Sequence, residues 1–66
     1  MKVKVTVGNE VGYPPIGSVG TAKRKGLLGL GYEFVPDNQE HYPPDCPPEE
    51  FAHYDLNFWE IRRIGK

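Results

Sequence analysis

Proline and glycine decide what this 66-residue chain can fold into: seven prolines and eight glycines are spread along nearly its whole length. Proline lacks the amide proton and breaks a helix interior, and glycine costs about 1 kcal/mol there relative to alanine. Long helices are therefore excluded, and the stretches between turn residues are read as short strands. The clearest is Lys2–Val7, in which Val3, Val5 and Val7 alternate strictly with Lys2, Lys4 and Thr6, the period of a half-buried strand.

The same reading continues along the chain. Val11–Gly17 is a loop, because Pro14 and Pro15 cannot lie in a central strand. Ser18–Lys23 returns to strand, with Gly20 read as a bulge or tight bend, and Lys23–Gly31 forms a hairpin connection. Tyr32–Val35 is a short aromatic strand that Pro36, Asp37 and Asn38 terminate. Residues 37–53 form one long irregular Pro-rich loop, with one helical turn expected over Glu49–His53. Tyr54–Phe58 is a strand, and Trp59–Ile64 gives a turn and a last strand. Five short strands separated by turn signals predict one all-β domain spanning residues 1–66, a small barrel or sandwich. The expected core is Val3, Val5, Val7, Ile16, Val19, Phe34, Leu56, Trp59, Ile61 and Ile64.

A domain of this length buries only roughly 60% of its unfolded surface and has a net stability of about 3–5 kcal/mol. That margin supports a surface for binding more readily than a buried catalytic apparatus, so the expectation is a non-enzyme without cofactors. The single Cys46 excludes an internal disulfide framework and a four-cysteine zinc site, and fits a reducing, cytoplasmic setting. Met1–Val5 carries no apolar core of a secretory signal, and no apolar run approaches the roughly 20 residues that span a bilayer.

The net charge of −1 conceals segregation. Asp37, Glu40, Asp45, Glu49, Glu50 and Asp55 are followed by no base between them, whereas the rest of the chain carries eight bases against Glu10, Glu33 and Glu60. The bases Lys2, Lys4, Lys23, Arg24, Lys25, Arg62 and Arg63 form a candidate phosphate-facing patch, weighed against an ordinary charged exterior. His41, Asp45, Cys46 and His53 are of types that suit zinc, but their spacing matches no zinc pattern and they are read as structural or solvated. Cys46 has acids and no base beside it, the opposite of the electropositive setting of a nucleophilic thiol. Gly26–Gly31 imitates a dinucleotide-binding glycine motif, but the strand Tyr32–Val35 follows where that motif needs a helix. Leu27, Leu28 and Leu30 either pack over the end of the sheet or form an exposed apolar tip.

The order of features resembles the SH3-like barrel superfamily, particularly its small bacterial, phage and photosynthetic members. The resemblance rests on the alternating strand Lys2–Val7, on Ile16-Gly17-Ser18-Val19-Gly20-Thr21 as a second strand, on Tyr32-Glu33-Phe34-Val35-Pro36-Asp37 as a third, and on Tyr54-Asp55-Leu56 and Trp59-Glu60-Ile61 around a short 3₁₀ turn. It implies a five-stranded SH3-like barrel whose first and last strands pair, bringing Lys2 and Lys4 beside Arg62 and Arg63 on the outer surface. Ala22 departs from the usual β-branched residue, the loop after the third strand is longer and more acidic, and the Ala-Leu-Tyr-Asp-Tyr strand of Pro-peptide binders is absent.

The leading expectation is a protein-interaction module, a phage- or bacterium-encoded adaptor or inhibitor of a host protein. It would dock through Tyr42, Pro43, Pro44, Asp45, Glu49, Glu50 and Phe51, with Leu27 and Leu28 at a second tip. The alternative is a nucleic-acid-binding barrel using the basic set.

Overall fold

The computed structural model describes residues 1–8, 12–26 and 30–65. It contains five antiparallel strands: β1 (Lys2–Val5), β2 (Val19–Lys25), β3 (Gly31–Pro36), β4 (Tyr54–Asn57) and β5 (Ile61–Arg63). Among the described residues there are also two single-turn 3₁₀ helices, η1 (Gln39–His41) and η2 (Phe58–Glu60). The strands form one sheet in the order β4-β3-β2-β1-β5. The first and last strands pair, with Lys4 opposite Arg62 and Val3 opposite Arg63.

The connection from β4 to β5 constrains the shape of this sheet. The two are its opposite edges, and η2 alone joins them. A flat sheet of five strands would hold its edges about 19 Å apart, whereas three 3₁₀ residues advance only about 6 Å. The sheet therefore curls until its edges approach, although no ladder joins β4 to β5 among the described residues. The Phe58 amide donates to the Leu30 carbonyl (3.0 Å) and the Thr6 amide to the Glu60 carbonyl (2.9 Å), so η2 is tied to both sides of the gap it crosses. The Asn57 side chain and the Glu60 carboxylate close a capping box around it.

The concave face holds the core. Val3, Val5, Ala22, Phe34 and Leu56 are buried there, with Tyr32, Tyr54 and Ile61 packed half-buried against them. Ala22 lies directly opposite Phe34 in the β2/β3 ladder, so the ring takes the volume that a β-branched residue would fill. Before β2 the chain is pinned by backbone hydrogen bonds between Val5 and both Gly17 and Ser18, and the buried Ser18 hydroxyl donates to the Pro15 carbonyl (2.6 Å).

Four expected core residues are instead exposed: Val7, Ile16, Trp59 and Ile64. β1 ends at Val5, and the amides of both Thr6 and Val7 turn to the Glu60 carbonyl, which takes Val7 off the alternating face. Ile16 stands at a tight turn beside Gly17 (φ 95°) and is 67% exposed. Ile61 and Ile64 are three residues apart and cannot share one face of a strand whose period is two; Ile61 takes the inner side. Trp59 lies on η2, outside the ladder altogether. Val19 is half-buried, opposite Lys4 on the outer face.

Residues 37–53 contribute no strand. The expected turn at Glu49–His53 is displaced toward the N-terminus: the Glu50 and Phe51 amides both donate to the Pro47 carbonyl, at 2.9 and 3.1 Å. η1 is a feature the sequence reading did not include, capped by the Asn38 side chain accepting from the Glu40 amide (2.9 Å).

Candidate functional site

Strand parity divides the basic residues. Lys2, Lys4 and Arg62 share the outer face, where Lys4 and Arg62 are direct neighbours across the β1/β5 ladder. Arg63 pairs with Val3, and Val3 points into the core, so Arg63 belongs to the inner side and not to the outer patch expected from sequence. Arg24 is likewise on the inner side, opposite Tyr32. Two of the lysines are committed: Lys2 Nζ is 2.6 Å from Asp37 and Lys25 Nζ is 2.9 Å from Asp55. Among the described residues, Lys4, Lys23, Arg24, Arg62 and Arg63 make no ion pair.

A cleft lies beside the end of β2. β2 pairs with β1 over Val19–Thr21, meets Met1 through backbone hydrogen bonds at Ala22, and pairs with β3 as far as Lys25. The cleft is open and about 650 Å³ in volume, with Ala22, Lys23, Arg24, Tyr32 and Arg63 in its wall, and among the described residues no carboxylate side chain lines it. It adjoins a smaller hollow of about 230 Å³ walled by Val3, Tyr32, Phe58, Ile61 and Arg63. Two guanidinium groups facing one cleft suit a carboxylate or phosphate, each of which they can grip through paired N–H donors.

A second feature is apolar. Phe58 and Trp59 are 51% and 58% exposed and meet edge to face with ring centroids 5.2 Å apart. Leu30, whose carbonyl holds η2, is also exposed. Leu27 and Leu28 lie outside the described residues.

The acidic segment has an inner and an outer side. Tyr42 and Phe51, expected as partner-binding anchors, are half-buried and pack at a tilt against each other (4.6 Å), and Phe51 meets Tyr54 (5.0 Å), which reaches Phe34 in the core (6.4 Å). The Tyr54 hydroxyl donates to the His41 carbonyl (2.7 Å) and fastens the segment to β4. Burial raises the pKa of this phenol, and nearby Tyr13 and Cys46 reinforce the shift. Pro44, Asp45, Glu49 and Glu50 are exposed and Pro43 is half-buried.

Asp55 faces solvent on the outer side, where the hydrogen bond from Lys25 holds its carboxyl below the ordinary carboxylate value, with a smaller contribution from His53 at 3.1 Å. A lowered folded value means that the pairing contributes to stability above the ordinary range and is lost as the pH falls through the folded value. In a carboxyl-carbon NMR titration, Lys25→Met should move the Asp55 midpoint upward toward that of a free carboxylate. An unchanged midpoint would contradict this assignment of cause.

Among the described residues, no group of three His, Cys, Asp or Glu side chains is placed to hold a metal ion. His41, Asp45, Cys46 and His53 do not converge: His53 turns to Asp55, and the Cys46 thiol lies 3.6 Å from the Pro47 carbonyl. The His41 Nδ1 is buried and has no hydrogen-bond partner among the described residues. No helix among the described residues is long and apolar enough to cross a membrane. The exposed Phe58–Trp59 pair and the inward Arg24 and Arg63 are the features sequence reading missed; the only signal for the latter was parity relative to Val3, which needs the β1/β5 register. No family model, no curated protein and no solved structure matches this chain.

Proposed function

We propose that this chain is a small non-catalytic protein-interaction module on an SH3-like barrel scaffold, an adaptor or inhibitor that works in a reducing cytoplasm. The strand order, the pairing of first and last strands, and the single 3₁₀ turn between the two sheet edges support the scaffold reading.

One observation carries the functional reading: the only tryptophan of the chain is held in solvent on a capped turn, edge-on to an exposed phenylalanine. A domain this small has little apolar surface to spare from its core. Rigid aromatic side chains that lose little entropy on docking are the residues that dominate protein interfaces. The outward Asp45, Glu49 and Glu50 supply a charged rim elsewhere on the surface, suited to steering and partner choice.

Nucleic-acid binding is the second reading, favoured by the outward Lys4–Arg62 neighbours. It is weakened by the commitment of Lys2 and Lys25 to Asp37 and Asp55.

A pull-down from nuclease-treated cell lysate separates the two. A protein should be retained after nuclease and lost from Trp59→Ala, while that variant keeps the wild-type melting curve. Loss of all retained material on nuclease treatment would promote the second reading; undiminished retention by Trp59→Ala would remove η2 from the interface.

A further inference from the structure

The outer face of the sheet carries a pair of side chains that their own register disfavours. Lys4 and Arg62 stand directly opposite each other across the β1/β5 ladder, and like charges in that relation repel. Among the described residues neither makes an ion pair. The face continues through Ile64, whose amide donates to the Lys2 carbonyl (3.1 Å). Lys4, Thr21, Arg62 and Ile64 are all exposed, so among the described residues this face has no cover. The acidic segment is the opposite case, carboxylates held out from a fixed base. Glu49 and Glu50 stand in the turn that the Pro47 carbonyl closes by accepting from the Glu50 and Phe51 amides. Phe51 anchors that turn against Tyr42 and Tyr54. Both glutamates are exposed and, among the described residues, likewise make no ion pair. Lys2, on the basic face, is bonded to Asp37, which opens the acidic segment, so the two regions adjoin on the surface.

From this complementarity we propose that the chain pairs with a second copy of itself, the Glu49–Glu50 turn of each copy resting on the Lys4–Arg62 pair of the other. A carboxylate between the ammonium and the guanidinium cancels their repulsion and accepts charged hydrogen bonds from both. About a two-fold axis the contact is made twice, because each copy carries both halves. The turn is already fixed by its own packing, so little ordering entropy opposes the contact. Charge favours a second copy over a nucleic acid as occupant. On this face Lys2 is held by Asp37 and Lys23 stands opposite Glu33, while Arg24 and Arg63 belong to the inner side. A run of phosphates along Lys4 and Arg62 would therefore meet the neighbouring acids, whereas a second copy brings two carboxylates to two cations. η2 takes no part in the contact, so this inference and the Trp59 reading stand or fall separately.

Sedimentation velocity over a concentration series tests this with the protein alone. A dimer is expected in about 0.02 M salt, dissociating toward monomer in about 0.5 M as the Debye length shortens from about 20 Å to about 4 Å. Lys4→Glu with Arg62→Glu, and separately Glu49→Lys with Glu50→Lys, should each weaken the dimer about tenfold or more, since each turns attraction into repulsion at both contacts. All four changes in one chain should restore it, because the contact is rebuilt with its signs exchanged. Arg24→Glu with Arg63→Glu changes the net charge as much as the first variant but on the inner side, and should not weaken the dimer comparably. Circular dichroism melts establish that each variant is folded, and the milder Lys4→Gln with Arg62→Gln should weaken the dimer in the same direction. The proposal is overturned by a monomer at millimolar concentration in low salt, by a dimer indifferent to salt or to either reversal, or by a folded fourfold variant that stays monomeric. It is equally overturned by a monomer whose Lys4 and Arg62 resonances are shifted saturably by an oligothymidylate, which would make this face a nucleic-acid surface.

Discussion

Phe34→Ala should leave most of the protein unfolded at room temperature, and Trp59→Ala should not. Phe34 is 0% exposed and stands at the centre of the core, opposite Ala22 on one side and Tyr54 on the other. Truncating a buried phenylalanine costs about 3–5 kcal/mol through lost transfer energy and the cavity left behind. The net stability available to a single core of this size is itself about 3–5 kcal/mol, so the loss consumes it. Trp59 is the larger side chain and, by hydrophobicity alone, the better candidate for that role. It is 58% exposed, however, and its ring meets only Phe58 among the aromatic rings of the described residues. Removing it forfeits an edge-to-face pair worth about 1 kcal/mol. Near-UV circular dichroism and thermal melts of the two variants give the comparison. A folded Phe34→Ala with an unchanged melt, or an unfolded Trp59→Ala, would invert the core described here.

That pair also shows which parts of the structure were legible in the sequence. The all-β class was, because alternation in Lys2–Val7 and the Pro/Gly punctuation leave no room for long helices. The first four strands were legible to within two residues at each end, and the fifth lies within Trp59–Ile64, the stretch read as a turn and a last strand. Burial was not, wherever the chain leaves the ladder. Trp59 sits in the single turn that crosses between sheet edges, and no pattern of period two or 3.6 governs which way its side chain points. Ile64 was assigned inward on residue type against its own parity with Ile61. The basic residues were legible as a set but not as two faces, because Arg63 is sorted by its register with Val3, sixty residues away in the chain. Tyr42 and Phe51 read as free anchors because nothing local announces that they pack against one another and that Phe51 packs against Tyr54. The cleft was not legible because it lies along Ala22–Arg24, and the sequence reading ended β2 at Lys23, two residues short of Lys25.

Gly20→Ala should be among the most destabilising of the conservative changes in this chain, for a reason unrelated to glycine's freedom in φ. Gly20 is in ordinary extended backbone within β2 and is the partner of Val3 on one side and Pro36 on the other. A methyl group at this position would overlap the Val35 carbonyl oxygen and lie 2.7 Å from the Pro36 Cα and 2.9 Å from the Phe34 ring. Two of these three neighbours are backbone of β3, so no rotamer change relieves the overlap. The relief is to separate β3 from β2 at Gly20, where β2 is paired with β1 and β3 at once. Overpacking in a core costs about 1–3 kcal/mol when side chains can yield, and here the backbone must move, so a cost at or above the upper end is expected. For a domain of 60–100 residues that corresponds to a fall in Tm of more than about 10 °C. Gly31→Ala is the control, since the nearest atom to its added methyl group is the Leu56 carbonyl at 3.8 Å. Its Tm should stay close to wild type. Equal melting temperatures for the two variants would mean that β2 and β3 are not in the close approach that Gly20 permits, and the curled arrangement of the sheet would have to be redrawn.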